Sequence, residues 1–189
     1  MLAAGRSTRF DGVKQLATLG GRPLVRWAVD AALESGLRPV VTVVGSRAGP
    51  IQAALPQGVD VVRAHRAKAG ISQSLRALVT ALDGWVQIGA VCVGLGDQPR
   101  VGAEAYRRLA RAYDAGATLA VATYAGQRQN PVLIARPLWS RVRELRGDVG
   151  ARALMQEVAV TEVDCTDTGS PADIDTPADL ERMAREMET

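Results

Sequence analysis

The chain has 189 residues, 47% of them hydrophobic and 23% charged, and a formal net charge of +3. At about 150 residues per domain this predicts a single domain over residues 1–189, long enough to bury a core without disulfides or a structural metal. No apolar run approaches the ~20 residues of a membrane span, two cysteines cannot form a disulfide framework, and 4% aromatics are too few to line a basic groove. These features point away from a membrane or nucleic-acid partner and toward a reduced, cytoplasmic protein.

Short β-branched runs alternate with amphipathic stretches along the chain. A strand stub at Leu2–Ala3 leads into a glycine- and arginine-rich turn. Pro23–Ser35 reads as a helix that opens on proline and stops at Gly36. Val40–Val44 and Val59–Val62 read as buried strands, and Ser72–Leu82 carries Leu75, Leu78, Val79 and Leu82 at helical spacing. Ala90–Leu95 is the next strand, with Cys92 inside it, and Ala103–Ala115 the next helix. Strands are predicted at Thr118–Thr123 and Val132–Ala135, and a helix over Pro137–Leu145. Val158–Val163 alternates with period two, which suits an edge strand. Thr176 is a good N-cap for a helix over Pro177–Met187, with Asp179 three residues on. Strand–helix alternation predicts a three-layer α/β fold around a mostly parallel sheet.

Three segments carry candidate chemistry. In Leu2-Ala3-Ala4-Gly5-Arg6-Ser7-Thr8-Arg9-Phe10-Asp11-Gly12-Val13-Lys14-Gln15-Leu16, small residues after a strand let backbone approach a ligand. Arg6, Arg9 and Lys14 add three cations suited to phosphate oxygens. Neither a Walker A loop nor a GxGxxG turn is present. In Gly94-Leu95-Gly96-Asp97-Gln98-Pro99 a carboxylate directly follows a buried strand. Ligands bind at the carboxyl ends of strands in such sheets, and a carboxylate there suits Mg²⁺, or else shapes the turn. In Asp173-Ile174-Asp175-Thr176-Pro177-Ala178-Asp179-Leu180, Asp179 reads as a helix-terminus residue, and Asp173 or Asp175 as a second metal carboxylate. His65 is the only histidine, which excludes a multi-histidine metal site and disfavours a Ser-His hydrolase. It reads as a surface loop residue.

Taken in order, these segments resemble the MobA-like nucleotidyltransferases, and most closely the molybdenum cofactor cytidylyltransferase branch. Leu2 to Leu16 is similar to that family's LAAGxSxRxGxxKxL, with Asp11 as one extra residue. Gly20-Gly21-Arg22-Pro23-Leu24 resembles its GxPL step, Gly70 to Leu75 its G[MI]SxSL, Gly96 to Pro99 its GDxP, Gly147 to Arg152 its GDxGAR, and Asp173 to Leu180 its DIDTPxDL. The resemblance implies a Rossmann-like (GT-A-like) nucleotidyltransferase fold and Mg²⁺-dependent transfer of a nucleoside monophosphate from an NTP to a phosphorylated acceptor, releasing pyrophosphate. It implies that Leu2, Ala3, Ala4 and Gly5 cradle the base, that Arg9 and Lys14 hold the β- and γ-phosphates, that Ser72 and Ser74 lie near the nucleotide, and that Asp97 and Asp175 bind metal. Arg9, Lys14 and Asp97 would then carry catalysis. Because Ala4 completes LAAG rather than LAGG, the resemblance favours CTP, with molybdopterin as acceptor. A phosphorylated sugar or polyol as acceptor, or a non-catalytic cofactor-delivery protein, are the competing readings.

The sequence departs from the family pattern in three places. The family has a full apolar strand before LAAG, so a start upstream, or a shortened copy, is expected here. Ala64-His65 replaces the family's Asn-Pro, and Gln129-Asn130-Pro131-Val132-Leu133-Ile134 stands where the acceptor-side motif reads GHPVLF.

Overall fold

A computed structural model describes residues 1–5, 10 and 12–188. Three parallel strands form one half of the central sheet: β1 (Leu2–Ala3) pairs with β4 (Val40–Val44), and β4 with β5 (Val59–Arg63). The other half, in the order β6 (Ala90–Val93), β8 (Gln127–Ala135), β7 (Leu119–Tyr124), β9 (Thr161–Asp164), is parallel except for β8. The halves join where Leu2 N donates to Gly94 O (2.9 Å) and Gly96 N donates to Leu2 O (2.9 Å). That seam sets β1 at the centre of the sheet, with the chain continuing from β1 and from β6 side by side.

Helices cover both faces. Val41 and Val43 of β4 pack with α3 (Ile71–Ala81) and α5 (Trp139–Glu144). Val40 and Val44, alternating to the other face, pack with α1 (Leu24–Glu34), α2 (Ala48–Ala54) and α4 (Ala103–Asp114). This period-two division of one valine run between two helix layers is why the strand reads as continuously apolar. The last helix, α6 (Pro177–Met187), buries Met183 against Leu19, Leu24 and Ile174. Among the described residues no helix is long and apolar enough to cross a membrane.

The mostly parallel three-layer expectation holds, as do the limits of β4 and α6. Four local differences have physical reasons. Strand β8 begins at Gln127, not Val132; its first four residues are polar, the first two exposed and the next two half-buried, so no apolar run marks them. It carries two extra residues: Val132 pairs with Val121, but Gln129 pairs with Ala122, leaving Asn130 and Pro131 bulged from the ladder. The edge strand β9 starts at Thr161, while Val158 and Val160 pack on the core ahead of it. The hairpin of β2 (Thr18–Leu19) and β3 (Arg22–Pro23), turning on Gly20 and Gly21 at φ +56° and +75°, and the short α2 were not legible as elements. Pro23 accordingly precedes α1 as its N-cap residue instead of opening the first turn.

Candidate functional site

The carboxyl ends of β1 and β6 lie side by side, and the chemistry gathers there. Gly96 packs against β1; a Cβ on it would stand 3.2 Å from Ala3 Cβ and 3.3 Å from Leu2 O. The close fit delivers Asp97 beside Ala4 and Gly5. The backbone of Asp97 then fastens the distant C-terminal segment, since Ile174 N donates to Asp97 O (3.1 Å) and Gln98 Nε2 donates to Pro171 O (2.8 Å). Asp175 is fixed in turn by the start of α6. Its N–H donates to Asp179 Oδ2 (3.2 Å), as does Thr176 N (2.9 Å), while Thr176 Oγ1 accepts from Asp179 N (3.2 Å). That capping box sets the backbone that presents Asp175.

Lys14 completes the cluster from a 3₁₀ turn over Lys14–Leu16. Its Nζ lies 2.6 Å from Asp97 Oδ2 and 2.8 Å from Asp175 Oδ1. Three segments more than 70 residues apart thus meet at one nitrogen atom. Burial works against the ammonium charge, but the Asp97 charge and the hydrogen bonds to Asp175 and Asp97 outweigh it and hold the Lys14 pKa above its ordinary value. Asp173 lies near the pair. Desolvation of its carboxyl group, although the residue is solvent-accessible, and the charge of Asp97 raise its pKa.

The cluster opens into a cleft of about 740 Å³ bordered by Leu2, Ala4, Gly5, Ser74 and Asp148. Ala3 borders an adjoining space of about 570 Å³ that also holds Arg47 and His65. A third space of about 350 Å³, on the far side of Ile71 and Leu95, is lined by Asn130, Arg128, Arg152 and Gln98. A separate apolar cavity of about 330 Å³ lies between Val40 and Tyr106 and contains none of the Lys14, Asp97 and Asp175 group.

Of the predicted site residues, Leu2, Ala4, Gly5, Lys14, Ser74, Asp97 and Asp175 come together on the large cleft. Ser72 does not reach it: the residue is fully buried and its hydroxyl donates to Gly147 O (2.7 Å). Its place is structural, tying α3 to the Gly147–Arg152 loop. Arg6 and Arg9 lie outside the described residues. His65 is exposed, as expected of a loop residue, and stands at the rim of the adjoining space.

Sequence reasoning missed two contributors. Gln15 is 3% exposed and borders both larger spaces; Gly5 makes room for it, since a Cβ there would meet Gln15 Nε2 at 3.1 Å. It occupies an unspecified position of the N-terminal pattern, so nothing marked it. Asp148 accepts from Ile71 N (3.3 Å) at the start of α3. Its glycine-flanked context was visible, but the partner 77 residues away was not.

The donor set of Asp97 and Asp175 is all oxygen and anionic, with both oxygens against one atom, which suits a hard divalent cation. Among the described residues no group of three or more His, Cys, Asp or Glu is placed to hold a metal. Two carboxylates fit an ion that takes its other ligands from phosphate oxygens and water.

A mostly parallel sheet whose strand ends gather small residues, a lysine and two aspartates around an open cleft is the arrangement of the Rossmann-like nucleotidyltransferase class. Residues 1–163 match the MobA-like NTP transferase domain family, and the chain belongs to it. It is 38% identical over 129 residues to the bifunctional protein GlmU of Anaeromyxobacter sp. strain Fw109-5, a match covering 65% of this chain and 26% of that protein. The chain thus spans about a quarter of the length of these curated relatives. Among solved structures it is similar to the Mycobacterium tuberculosis Rv0371c homologue from Mycobacterium sp. strain JC1, with 28% identity, a TM-score of 0.84, and 99% and 94% of the two chains covered. It is also similar to Rv0371c from M. tuberculosis H37Rv in complex with manganese, with 29% identity, a TM-score of 0.81, and 97% and 95% covered.

Proposed function

We propose that this chain transfers CMP from CTP to a phosphorylated acceptor, molybdopterin in the first instance, in a Mg²⁺-dependent reaction that releases pyrophosphate. The observation that carries the reading is the convergence of Lys14, Asp97 and Asp175 at the mouth of a cleft bordered by Ala4 and Gly5. The preference for CTP and for a pterin acceptor rests on Ala4 completing LAAG and on the order of the family motifs along the chain.

In this reading the base lies against Leu2, Ala3, Ala4 and Gly5, where no long side chain intervenes, and the triphosphate runs on toward Lys14. Asp97 and Asp175 would hold Mg²⁺, which supplies charge neutralisation for the phosphates and the departing pyrophosphate. Lys14 and Arg9 add positive charge to the same oxygens. An acceptor phosphate oxygen attacks the α-phosphorus, and the bond from the α-phosphorus to the bridging oxygen of the β-phosphate breaks. No protein nucleophile is required. The residues position two anions and offset their repulsion.

A second reading keeps the chemistry and changes the acceptor to another small phosphorylated molecule. It is favoured by Asn130, which lines the third space where the family pattern has histidine. One experiment addresses both: pyrophosphate release from CTP, GTP, ATP and UTP with Mg²⁺, each against molybdopterin and a set of sugar and polyol phosphates. CTP with molybdopterin is expected to dominate, and CTP with a sugar phosphate would select the second reading. If no pair gives pyrophosphate and no NTP raises the melting temperature, the reaction reading falls. CTP binding without turnover would leave the non-catalytic delivery role.

A further inference from the structure

The acidic pair already holds a cation of its own. Lys14 Nζ touches Asp97 Oδ2 and Asp175 Oδ1 at 2.6 and 2.8 Å, and the lysine side chain is 8% exposed. An ammonium bonded to both oxygens stands where a cation shared by those carboxylates would stand. The two cannot share those same two oxygens. Ion–oxygen bonds of about 2.0–2.2 Å would bring a divalent ion almost into contact with the ammonium, and positive charges that close repel strongly away from bulk water.

We infer that Lys14 is the resident counter-ion of the Asp97–Asp175 pair and that the divalent ion and the nucleotide bind by exchange, the ion taking the carboxylates and the released ammonium taking the phosphates. The inference rests on the reading of this cleft as a metal–nucleotide site. The local structure suits it. Backbone bonds from Leu16 N to Val13 O (2.8 Å) and from Ala17 N to Lys14 O (3.0 Å) hold the turn without using the lysine side chain. The flexible four-carbon stem can therefore swing while the turn stays, and Lys14 borders the large cleft into which it would move. A divalent ion arriving alone must displace Lys14 without offering it a new partner. An ion arriving with a triphosphate offers one. Ion and nucleotide are thereby coupled, each tightening the other by the same factor.

A lysine that served phosphates alone would make a different prediction, because its removal would leave metal-only binding unchanged. The test is Mn²⁺ binding, followed by EPR of the free ion, to the wild type, Lys14→Met and Lys14→Gln, each with and without CTP. Removing the lysine is expected to tighten Mn²⁺ binding at least tenfold when no nucleotide is present. The enhancement of Mn²⁺ binding by CTP, at least tenfold in the wild type, is expected to shrink in both variants to what direct ligation of the ion by phosphate oxygens supplies. Equal Mn²⁺ affinity in all three proteins, with the CTP enhancement intact, would overturn the exchange and leave the metal–nucleotide reading standing. No Mn²⁺ binding to any of them, unaltered by CTP, would remove both.

The wild type supplies a second measurement that does not depend on a variant folding. Lys14 and Lys68 are the only lysines, so two ε-methylene signals are expected from lysine-labelled protein. Saturating Mg²⁺ with CTP is expected to shift the Lys14 signal and sharpen it as the buried contact is released. A signal unmoved when Mg²⁺ and CTP are bound would overturn the exchange.

Discussion

The two ends of the cleft are built differently. At the Lys14 end, every element is pinned by short local geometry or by backbone bonds: Gly96 against β1, Ile174 on the carbonyl of Asp97, and the capping box behind Asp175. At the far end, Asn130 and Pro131 bulge from an antiparallel strand. Arg128 there is engaged with Glu162 (2.8 Å), and Gln98 leaves its buried Oε1 without a donor. The first end is fastened within the chain, one ammonium facing two carboxylates. At the second, the Gln98 Oε1 is a buried acceptor still open to a donor. On the proposed reading, the transfer chemistry is held at the Lys14 end and the acceptor is chosen at the end whose strand carries the bulge.

The largest effect should come from breaking the rigid end at its chemical centre. Asp97→Asn preserves size and the backbone bond to Ile174 but removes a charge facing Lys14 and the proposed metal. Pyrophosphate release is expected to fall by about 10²–10³-fold, the usual loss when one preorganised electrostatic contact is deleted. The melting temperature with CTP alone should change much less. A variant retaining more than a tenth of wild-type turnover would place the chemistry elsewhere on the cleft.

An intermediate effect tests how the two ends are tied together. Gly70 has φ +112°, and a Cβ there would stand 2.1 Å from Gly147 O and 2.6 Å from Asp148 N. Backbone meets backbone, so neither side can rotate away. Gly70→Ala should separate α3 from the Gly147–Arg152 loop and cost about 1–3 kcal/mol, the range for overpacking without relief. For a chain of this size that is a loss of roughly 2–12 °C in melting temperature. Activity measured well below the new melting point should also fall, because Asp148 and Ser74 both border the cleft. An unchanged melting temperature would show that the loop is not locked to the helix.

How much of this was legible follows the same division. The strand β4 could be read directly because five consecutive valine or threonine residues are buried between two helix layers. The acidic pair could be named because each aspartate sits in a short, distinctive motif beside glycine or a helix cap. What the sequence did not expose were relations across distance. That Ser72 turns inward to Gly147, and that Lys14 bridges both aspartates, depends on packing between segments far apart in the chain. The polar half of β8 was hidden for a different reason: its residues are polar and only the last two are half-buried, so no apolar alternation records their pairing. Arg9 remains as the sequence left it, named by motif and outside the described residues.

The smallest effect concerns the support behind Asp175. Hydrogen bonds from Thr176 and Arg182 hold the Asp179 carboxyl at about 2, below its ordinary 3.8. A depressed carboxylate contributes stability that is fully present above the ordinary value and is lost as pH falls through the lowered one. The wild type should therefore lose stability between about pH 5 and pH 2 in excess of Asp179→Asn, whose amide can still accept a bond from the helix terminus but does not titrate. Urea midpoints for the two proteins across that range isolate the difference, since every other carboxyl group is common to both. Thr176→Ala, which removes the other half of the capping box, should cost about 1 kcal/mol at neutral pH and reduce the acid-dependent difference, since Arg182 and the N–H groups at positions 175 and 176 still bond the Asp179 carboxylate. Because α6 begins directly after Asp175, both variants should also weaken Mn²⁺ binding in the presence of CTP by a few-fold, more than their stability loss alone would produce. If the helix cap fails and the metal affinity does not change, Asp175 is positioned by Asp97 and Ile174 alone, and the rigid end of the cleft has one fewer support than the hydrogen bonds indicate.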